Sequence, residues 1–164
     1  ILTPEPILRE TAQPVETITD ELLGLLDDMA DTMYDAPGIG LAANQIGRLE
    51  RVIVMDCAKD GSAAELWKMI NPEIIASSEE TAKLEEGCLS IPGHHGDVVR
   101  PAEVEVRYLG TDGNIHEMQA GGLLAACIQH EIDHLDGVLF IDRLSRLKRD
   151  MIWRKVLKEA KARL

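Results

Sequence analysis

The sequence predicts an α+β fold with antiparallel β-sheets around a buried central H-E-x-x-H helix, an N-terminal amphipathic helix and a C-terminal helix. Three observations support this prediction. Short β-branched runs are separated by turn residues rather than by helices, which favours antiparallel pairing over βαβ units. Residues 123–135 form a segment that is apolar nearly all round, as in a helix inside a core. The two flanking helical segments each carry one apolar stripe.

The composition is that of one globular domain. Of the 164 residues, 45% are apolar and 28% are charged, and no linker rich in Pro, Gly and Ser divides the chain. We therefore expect a single domain over residues 1–164. No apolar run approaches the ~20 residues needed to cross a bilayer, and no signal peptide is recognisable. These features predict a cytoplasmic protein with no membrane attachment.

The cysteines and the charge distribution indicate the compartment and the kinds of partner of this protein. Three widely spaced cysteines argue against a disulfide framework and for a reducing compartment. The formal charge of -12 argues against a nucleic-acid affinity of the whole surface. The charge is uneven, because residues 143–164 hold nine Lys/Arg and two Asp/Glu, whereas residues 1–142 hold the other eight Lys/Arg and 27 Asp/Glu. The basic tail therefore needs an explanation of its own.

The N-terminal third combines an extended segment with a helix. Prolines punctuate residues 1–18, which predicts an extended segment wrapped on the domain. Thr19 is a good N-cap for a helix that runs to about Tyr34, before Pro37 and Gly38 end it. Its core-facing stripe is predicted from apolar residues at helical spacing: Leu22, Leu25, Leu26, Met29 and Met33.

Residues 38–45 form a segment of small residues that follows this helix. Two glycines and two alanines allow the backbone to approach a neighbour closely. A phosphate-binding loop is disfavoured, because the third glycine and a following Lys-Ser/Thr are missing and a helix precedes the segment. Gln45 is the polar group that this loop can direct into a site.

The middle of the chain predicts short antiparallel strands. Residues 51–56 form a β-branched run typical of a buried strand, and Asp60 and Gly61 mark a turn after it. Another short strand is expected at residues 73–77, after the Asn71-Pro72 pair. Clean alternation at residues 103–108 and their return at 115–119 predict a hairpin.

The C-terminal part predicts one more strand and the last helix. Residues 138–141 form a short apolar run that we interpret as a strand. Ser145 then caps a terminal helix with basic residues on its outer face. We expect its inner stripe to consist of Leu147, Met151, Val156, Leu157 and Ala160.

The sequence Gln-His-Glu-Ile-Asp-His at residues 129–134 carries the clearest chemical signal. His130 and His134 are about 40° apart around a helix and roughly 6 Å apart along it, so both can bind one ion. Glu131 flanks that ion as a general base, the pattern of metal-assisted hydrolysis. The alternative is an ordinary surface helix. It is disfavoured because this helix is apolar nearly all round, and unpaired charge in a core is costly.

A third ligand is expected in the segment at residues 86–92. Cys88 lies there between a glycine and a proline. Cys127 is the competitor, but it shares the helix with both histidines and cannot join them on one ion with acceptable angles. We interpret Cys57 and Cys127 as apolar core residues. Three protein ligands leave a fourth position for water, as in catalytic metal sites.

Three motifs of this sequence resemble those of peptide deformylases. Residues 38–45, 86–92 and 129–137 match them in order and spacing, and the predicted helices and strands extend the likeness to the whole chain. Members of that family hydrolyse the N-formyl group from the initiator methionine of nascent bacterial and organellar proteins. The resemblance implies the same activity here, on N-formylated nascent peptides.

The resemblance also implies roles for particular residues. Cys88, His130 and His134 would hold one divalent ion, which would be Fe²⁺ in the cell, with Zn²⁺, Ni²⁺ or Co²⁺ in a purified sample. The ligand set alone would favour zinc. Glu131 would carry the proton from the attacking water to the departing amine. The side-chain amide of Gln45 and the backbone N–H of Leu89 would stabilise the oxyanion.

A substrate pocket for methionine follows from the same resemblance. Its lining would be Ile39, Leu84, Leu123, Ala126 and Cys127, with the region of His130. The peptide backbone would pair near Gly40 and Gly87 as an added strand. Ala126 leaves more room than the larger aliphatic residue of many relatives, so we expect a broader side-chain preference. Glu86 and Arg100 are expected to pair and to support the Cys88 loop.

Two features depart from the family pattern or extend it. His94 and His95 lie in an unusual segment at residues 93–96, where they could be additional metal ligands or, as we favour, the rim of the groove.

The basic terminal helix is expected to dock on the ribosome, as in bacterial relatives, by contact with rRNA phosphates. We otherwise expect a monomer. The rival functions are an H-E-x-x-H metallopeptidase and a catalytically altered relative that binds metal or peptide.

Overall fold

The computed structural model describes residues 1–58 and 63–164, and it confirms an α+β fold with antiparallel sheets and helices. The predicted turn at Asp60 and Gly61 lies outside the described residues. The helices and strands are α1 (Asp20–Asp35), β1 (Gly40–Ala42), β2 (Val52–Asp56), β3 (Leu66–Ser77), β4 (Thr81–Cys88), β5 (Ile91–Pro101), β6 (Glu103–Leu109), β7 (Ile115–Gly121), α2 (Gly122–Leu135) and α3 (Arg146–Ala162).

The strands form two antiparallel sheets. Five strands pair in the order β1-β2-β3-β6-β7, and β4 pairs with β5 in a separate two-stranded sheet. The predicted hairpin is confirmed by β6 and β7, in which Glu103 lies opposite Gly121 and Leu109 lies opposite Ile115. Strand β1 therefore lies at one edge of the larger sheet. In the smaller sheet, β4 pairs with β5 on one side only, so its other side is also an edge.

Helix α1 forms as the sequence predicts. The Thr19 hydroxyl oxygen accepts a hydrogen bond from the Leu22 N–H at 3.1 Å, which satisfies one of the free donors of the first turn. Asp20 and Glu21 then complement the positive end of the helix dipole. The predicted stripe is buried against β2 in a cluster that contains Leu22, Leu25, Leu26, Met29 and Met33.

Helix α2 follows β7 directly and packs on the opposite side of the larger sheet from α1. Ile128 and Leu135 are fully buried in a cluster with Ile53 and Val106 of the sheet. The chain leaves α2 through Gly137, which has a φ of +75°. A Cβ at Gly137 would lie 2.4 Å from the Arg9 carbonyl oxygen, so only glycine allows the N-terminal segment to approach this turn.

The predicted strand at residues 138–141 is wrong. The chain forms a short 3₁₀ helix, Phe140–Arg143, and the Asp142 carboxylate accepts a hydrogen bond from the Leu139 N–H at 2.9 Å. Phe140 and Ile141 are buried against Leu8 in a third cluster. A run of four apolar residues is compatible with any short buried element, and here the acidic cap selects the 3₁₀ turn.

The predicted inner stripe of the terminal helix is wrong at three of its positions. Ser145 does cap α3, since its hydroxyl accepts a hydrogen bond from the Lys148 N–H at 3.3 Å. The buried residues of α3 are Ile152 and Val156. Three residues of the predicted stripe are exposed instead: Leu147 (74%), Met151 (51%) and Leu157 (42%). The contact face therefore runs through Ile152 and Val156, and of the predicted stripe only Val156 is buried.

Strands β1, β4 and β5 were not predicted, and the expected break at Asn71-Pro72 is wrong. Strand β3 continues through this pair, with Asn71 at φ +50° and a shift of register against β6. The Asn71 side chain is fixed there, because it donates to the Val15 carbonyl and accepts from the Val15 N–H, both at 2.8 Å. A bulge with a side-chain anchor therefore replaces the turn.

None of the helices in residues 1–58 and 63–164 is long and apolar enough to span a bilayer.

Candidate metal centre

Cys88, His130 and His134 meet between β4 and α2. Their candidate ligand atoms all lie within 4.8 Å of one another, and no other such group occurs among the described residues. The Cys88 Sγ lies 3.2 Å from the His134 Nε2. His134 is fully buried, and His130 is almost so. The structure thus brings together one sulfur and two nitrogen donors from segments that are distant in sequence.

The chemistry of these donors fits a divalent transition metal. Burial and the neighbouring His130 lower the pKa of His134, which favours the neutral imidazole that a metal requires. Three protein ligands leave room for one more, as in catalytic sites. The Glu131 Oε1 is buried beside the cluster and has no hydrogen-bond partner among the described residues. A buried acceptor without a partner is expected where a bound water or substrate completes the site.

A buried ion-pair network orients His130. The His130 Nδ1 lies 2.9 Å from the Glu86 Oε1, and because the carboxylate accepts, Nδ1 carries the proton and Nε2 is free for a metal. The expected pair of Glu86 and Arg100 is confirmed, with N–O distances of 2.7 and 2.9 Å. Arg100 also donates to Asp133 at 2.9 Å. Burial alone would raise the pKa of Glu86, but Arg100 and His130 more than offset it and hold it at about 2.

Glu131 is buried next to the candidate ligand His130. Its burial raises the pKa to about 7, although the nearby charge of His130 opposes the shift. A carboxyl with this pKa can both accept and release a proton near neutral pH. Gly40 lies directly against it, since a Cβ at Gly40 would be 2.4 Å from the Glu131 Oε2. Glu131 is therefore the close neighbour that the small residues of the 38–45 segment predict.

The Gln45 side chain is aimed at the same cluster. Its Oε1 accepts a hydrogen bond from the Ala42 N–H at 2.9 Å, which fixes the orientation of the amide. Its Nε2 donates to the Ser90 Oγ at 3.2 Å and lies 3.5 Å from the Cys88 Sγ. Leu89 follows Cys88 directly, and its side chain lies beside Gly38. Ser90 is the partner that our sequence analysis missed, although it lies inside the motif at residues 86–92.

A cavity of about 660 Å³ opens onto Glu131 and His130. Its lining includes all seven of the predicted substrate contacts: Ile39, Gly40, Leu84, Gly87, Leu123, Ala126 and Cys127. The large side chains of Ile39, Leu84 and Leu123 are 46%, 37% and 49% exposed, so an apolar rim surrounds a polar floor. A cavity of this kind suits an apolar side chain next to a polar reacting group.

The remaining cysteines and histidines lie outside the ligand cluster. Hydrogen bonding to Cys57 and burial raise the pKa of Cys127, so it stays a neutral thiol. The Cys127 Sγ lies 3.7 Å from the Ile39 carbonyl oxygen and packs in the main core cluster, as predicted. His95 lines the cavity rim, whereas His94 contacts Glu159 at 3.1 Å. Neither histidine belongs to the metal-ligating group found among the described residues.

Comparison with known proteins identifies relatives along the whole chain. A family model described as Polypeptide deformylase matches residues 1–150. The peptide deformylase of Phenylobacterium zucineum is 56% identical over 162 residues, which are 99% of this chain and 96% of that protein. The crystal structure of peptide deformylase from Ehrlichia chaffeensis superposes with a TM-score of 0.92 at 38% identity, covering 99% of this chain and 96% of that one.

A second crystal structure from Ehrlichia chaffeensis adds a ligand. That peptide deformylase is in complex with actinonin, and it matches with a TM-score of 0.91 at 40% identity, covering 97% of this chain and 95% of that one.

Proposed function

The chain belongs to the polypeptide deformylase family and removes the N-formyl group from nascent peptides, and we propose that Cys88, His130 and His134 hold its metal ion while Glu131 carries the proton. One observation supports this assignment above the others. The three ligand atoms form one cluster within 4.8 Å, and two of the three residues, Cys88 and His130, line the same cavity as Glu131.

The ion is proposed to be Fe²⁺ in the cell. When bound, a divalent ion supplies a Lewis acid and lowers the pKa of a bound water toward ~7. The Cys88 thiolate is then the ligand most open to oxidation. Peroxide is expected to inactivate iron-loaded protein faster than zinc-loaded protein. Equal rates of inactivation of the iron-loaded and zinc-loaded protein would contradict the proposal that iron makes the site sensitive to peroxide.

Glu131 is proposed to accept the proton of the attacking water and to deliver it to the departing amine. Burial in the cavity floor and a pKa of about 7 suit both steps. Gln45 and the Leu89 backbone N–H are proposed to donate hydrogen bonds to the oxygen of the former formyl group. The Gln45 amide is held for this by the Ala42 N–H. Loss of one such donor typically lowers the rate by about 10² to 10³.

The peptide is proposed to enter between the free edges of β1 and β4. Both strands border the cavity, through Gly40 and Gly87, and each lies at the edge of its sheet. An extended chain placed there can form main-chain hydrogen bonds as an added strand. Its formyl-methionine side chain would contact Leu123, Ala126 and Cys127. Actinonin is expected to compete for the same cavity, since a related structure holds it.

The terminal helix is proposed to bind the ribosome, and the cytoplasm is the proposed compartment because nascent formylated chains arise there. Two observations support docking by α3. Most of its cations are exposed, and its exposed Leu147 and Met151 add apolar area beside them. Deletion of residues 146–164 is expected to weaken co-sedimentation with ribosomes at low salt. Unchanged co-sedimentation would remove this proposal.

A formate assay tests the proposed site directly. Iron-loaded protein should release formate from formyl-Met-Ala-Ser, and Glu131→Ala should release almost none while keeping its metal. Glu73→Gln serves as the control, because Glu73 is an exposed carboxylate on β3. Full activity of Glu131→Ala would contradict the role of this residue. Cleavage inside unformylated peptides would instead support the metallopeptidase alternative.

A further inference from the structure

Asn44 is a fully buried polar residue that joins the segment at residues 38–45 to the metal-binding helix. Its side chain has no exposed surface. The Asn44 Nδ2 donates a hydrogen bond to the carbonyl oxygen of His134. The Asn44 Oδ1 has no hydrogen-bond partner among the described residues. The contact with His134 is therefore the one that fixes this amide.

The orientation of the amide follows from the same contact. If the amide were flipped, its oxygen would face the carbonyl oxygen of His134, and two acceptors would oppose each other in a buried space. Nδ2 therefore points at the helix.

The carbonyl that Asn44 contacts belongs to the last turn of α2, where no further helical N–H groups follow. The Gly137 N–H also reaches the His134 oxygen, at 3.0 Å. The next carbonyl, of Leu135, accepts from the Ala12 N–H at 2.7 Å and from Arg51 at 3.1 Å. Side chains and backbone from outside the helix thus fix this turn, and Asn44 provides the side-chain contact to the carbonyl of the ligand residue itself.

The two histidines of the site are held in different ways. The His130 ring is oriented directly, because its Nδ1 is hydrogen-bonded to Glu86. The His134 Nδ1 is buried and has no such partner among the described residues. Apart from the contact of its Nε2 with the Cys88 Sγ, the direction of the His134 ring therefore depends on the position of its backbone, which Asn44 contacts.

We propose that Asn44 is a positioning residue for the metal ligand His134, and that its hydrogen bond to the His134 carbonyl sets the affinity and geometry of the metal site. This inference rests on the proposed ligand set. Partners that orient a metal-binding histidine typically change metal affinity by about 10- to 100-fold when they are removed. Asn44 would influence metal affinity in a similar way, but through the main chain of His134 and not through its ring.

Titration with Co²⁺ tests the inference. Metal-free wild type and Asn44→Leu, which keeps the shape but lacks the donor, are titrated with Co²⁺ against a competing chelator, and the visible spectrum is recorded. We expect a Kd for Co²⁺ raised by about 10- to 100-fold and altered absorption bands. The rise in Tm caused by a fixed Co²⁺ concentration should also be smaller than in wild type.

Asn71→Leu provides the matched control. Asn71 likewise uses its amide to hold another segment, at Val15, but it lies on β3 outside the metal cluster. This variant should lower the Tm of the metal-free protein while leaving the Kd and the spectrum as in wild type. If Asn44→Leu behaves in the same way as Asn71→Leu, Asn44 is a core residue only and the inference is wrong.

Two further outcomes are distinguishable. If Asn44→Leu does not fold, Asn44→Ser, which is smaller and too short to place a donor where Nδ2 lies, is judged by the same Kd and spectrum. If wild type itself binds no Co²⁺, or if His134→Ala binds it as tightly as wild type, the ligand assignment fails rather than the role of Asn44 alone.

Discussion

Helices α2 and α3 differ in how much of their surface the fold uses. In α2, ten of 14 residues are buried, and its His130 and Asp133 side chains have partners in β4 and β5. In α3, two of 17 residues are buried, and its charges lie mostly in solvent. The difference predicts that substitutions around α2 change metal binding and chemistry, whereas those on α3 change association with partners and leave hydrolysis unaltered.

The largest effect is expected from removal of a ligand beside α2. Cys88→Ala should weaken metal binding by more than about 100-fold, beyond the usual effect of removing an outer partner. Activity should fall with the metal content. Metal analysis after dialysis, together with formate release, measures both. If Cys88→Ala retained one tightly bound ion, the metal site would lie elsewhere. The contrast between α2 and α3 would then lose its basis.

The buried ion pair between Arg100 and Glu86, next to α2, should contribute more to the free energy of unfolding than an exposed ion pair does. Arg100→Leu leaves the Glu86 carboxylate without its main partner, at 8% exposure, and loss of one member of a buried pair typically costs 3–5 kcal/mol of unfolding free energy. Arg107→Leu breaks an equally short pair with Glu117, but both side chains are about half exposed and screened by solvent, so a much smaller loss is expected. Urea unfolding compares them, and similar losses would contradict the burial argument.

Gly40 offers a test of the close contact with Glu131. Gly40→Ala places a methyl group 2.4 Å from the Glu131 Oε2 and 2.8 Å from the Cys127 Sγ, so the carboxylate must move. A displacement of about 1 Å typically lowers the rate by about 10²-fold. Gly24→Ala in α1 meets no atom within 4 Å and should leave kcat/KM unchanged. An active Gly40→Ala would show that Glu131 tolerates displacement.

The smallest catalytic effect is expected on α3. Replacing Lys148, Lys155 and Lys158 by Gln removes exposed cations remote from the cavity. Hydrolysis of formyl-Met-Ala-Ser should stay within about twofold of wild type, because surface substitutions of this kind rarely disturb the fold. Co-sedimentation with ribosomes at low salt should weaken. A loss of hydrolysis would mean that α3 supports the site, and the contrast between the two helices would disappear.

The parts of the molecule that the sequence predicted share a local or periodic signal. His130, Glu131 and His134 follow from helical spacing, Cys88 from its motif, and the 103–119 hairpin from alternation. Strands β4 and β5 were missed because five successive residues of β4 are exposed, which removes the alternation that a half-buried strand shows. The face of α3 depends on contacts with the N-terminal segment and β5, which spacing within the helix does not encode. Asn44 and Ser90 are single polar residues whose partners lie far along the chain.

X-ray absorption spectroscopy of zinc-loaded protein tests the central claim most directly. The account predicts one sulfur at about 2.3 Å and two imidazole nitrogens at about 2.0–2.1 Å, with a light oxygen donor in the fourth position. Cys88→Ser should remove the sulfur signal, and Cys127→Ser should keep it. A spectrum without sulfur, or one whose sulfur survives in Cys88→Ser, would contradict a site built from Cys88, His130 and His134.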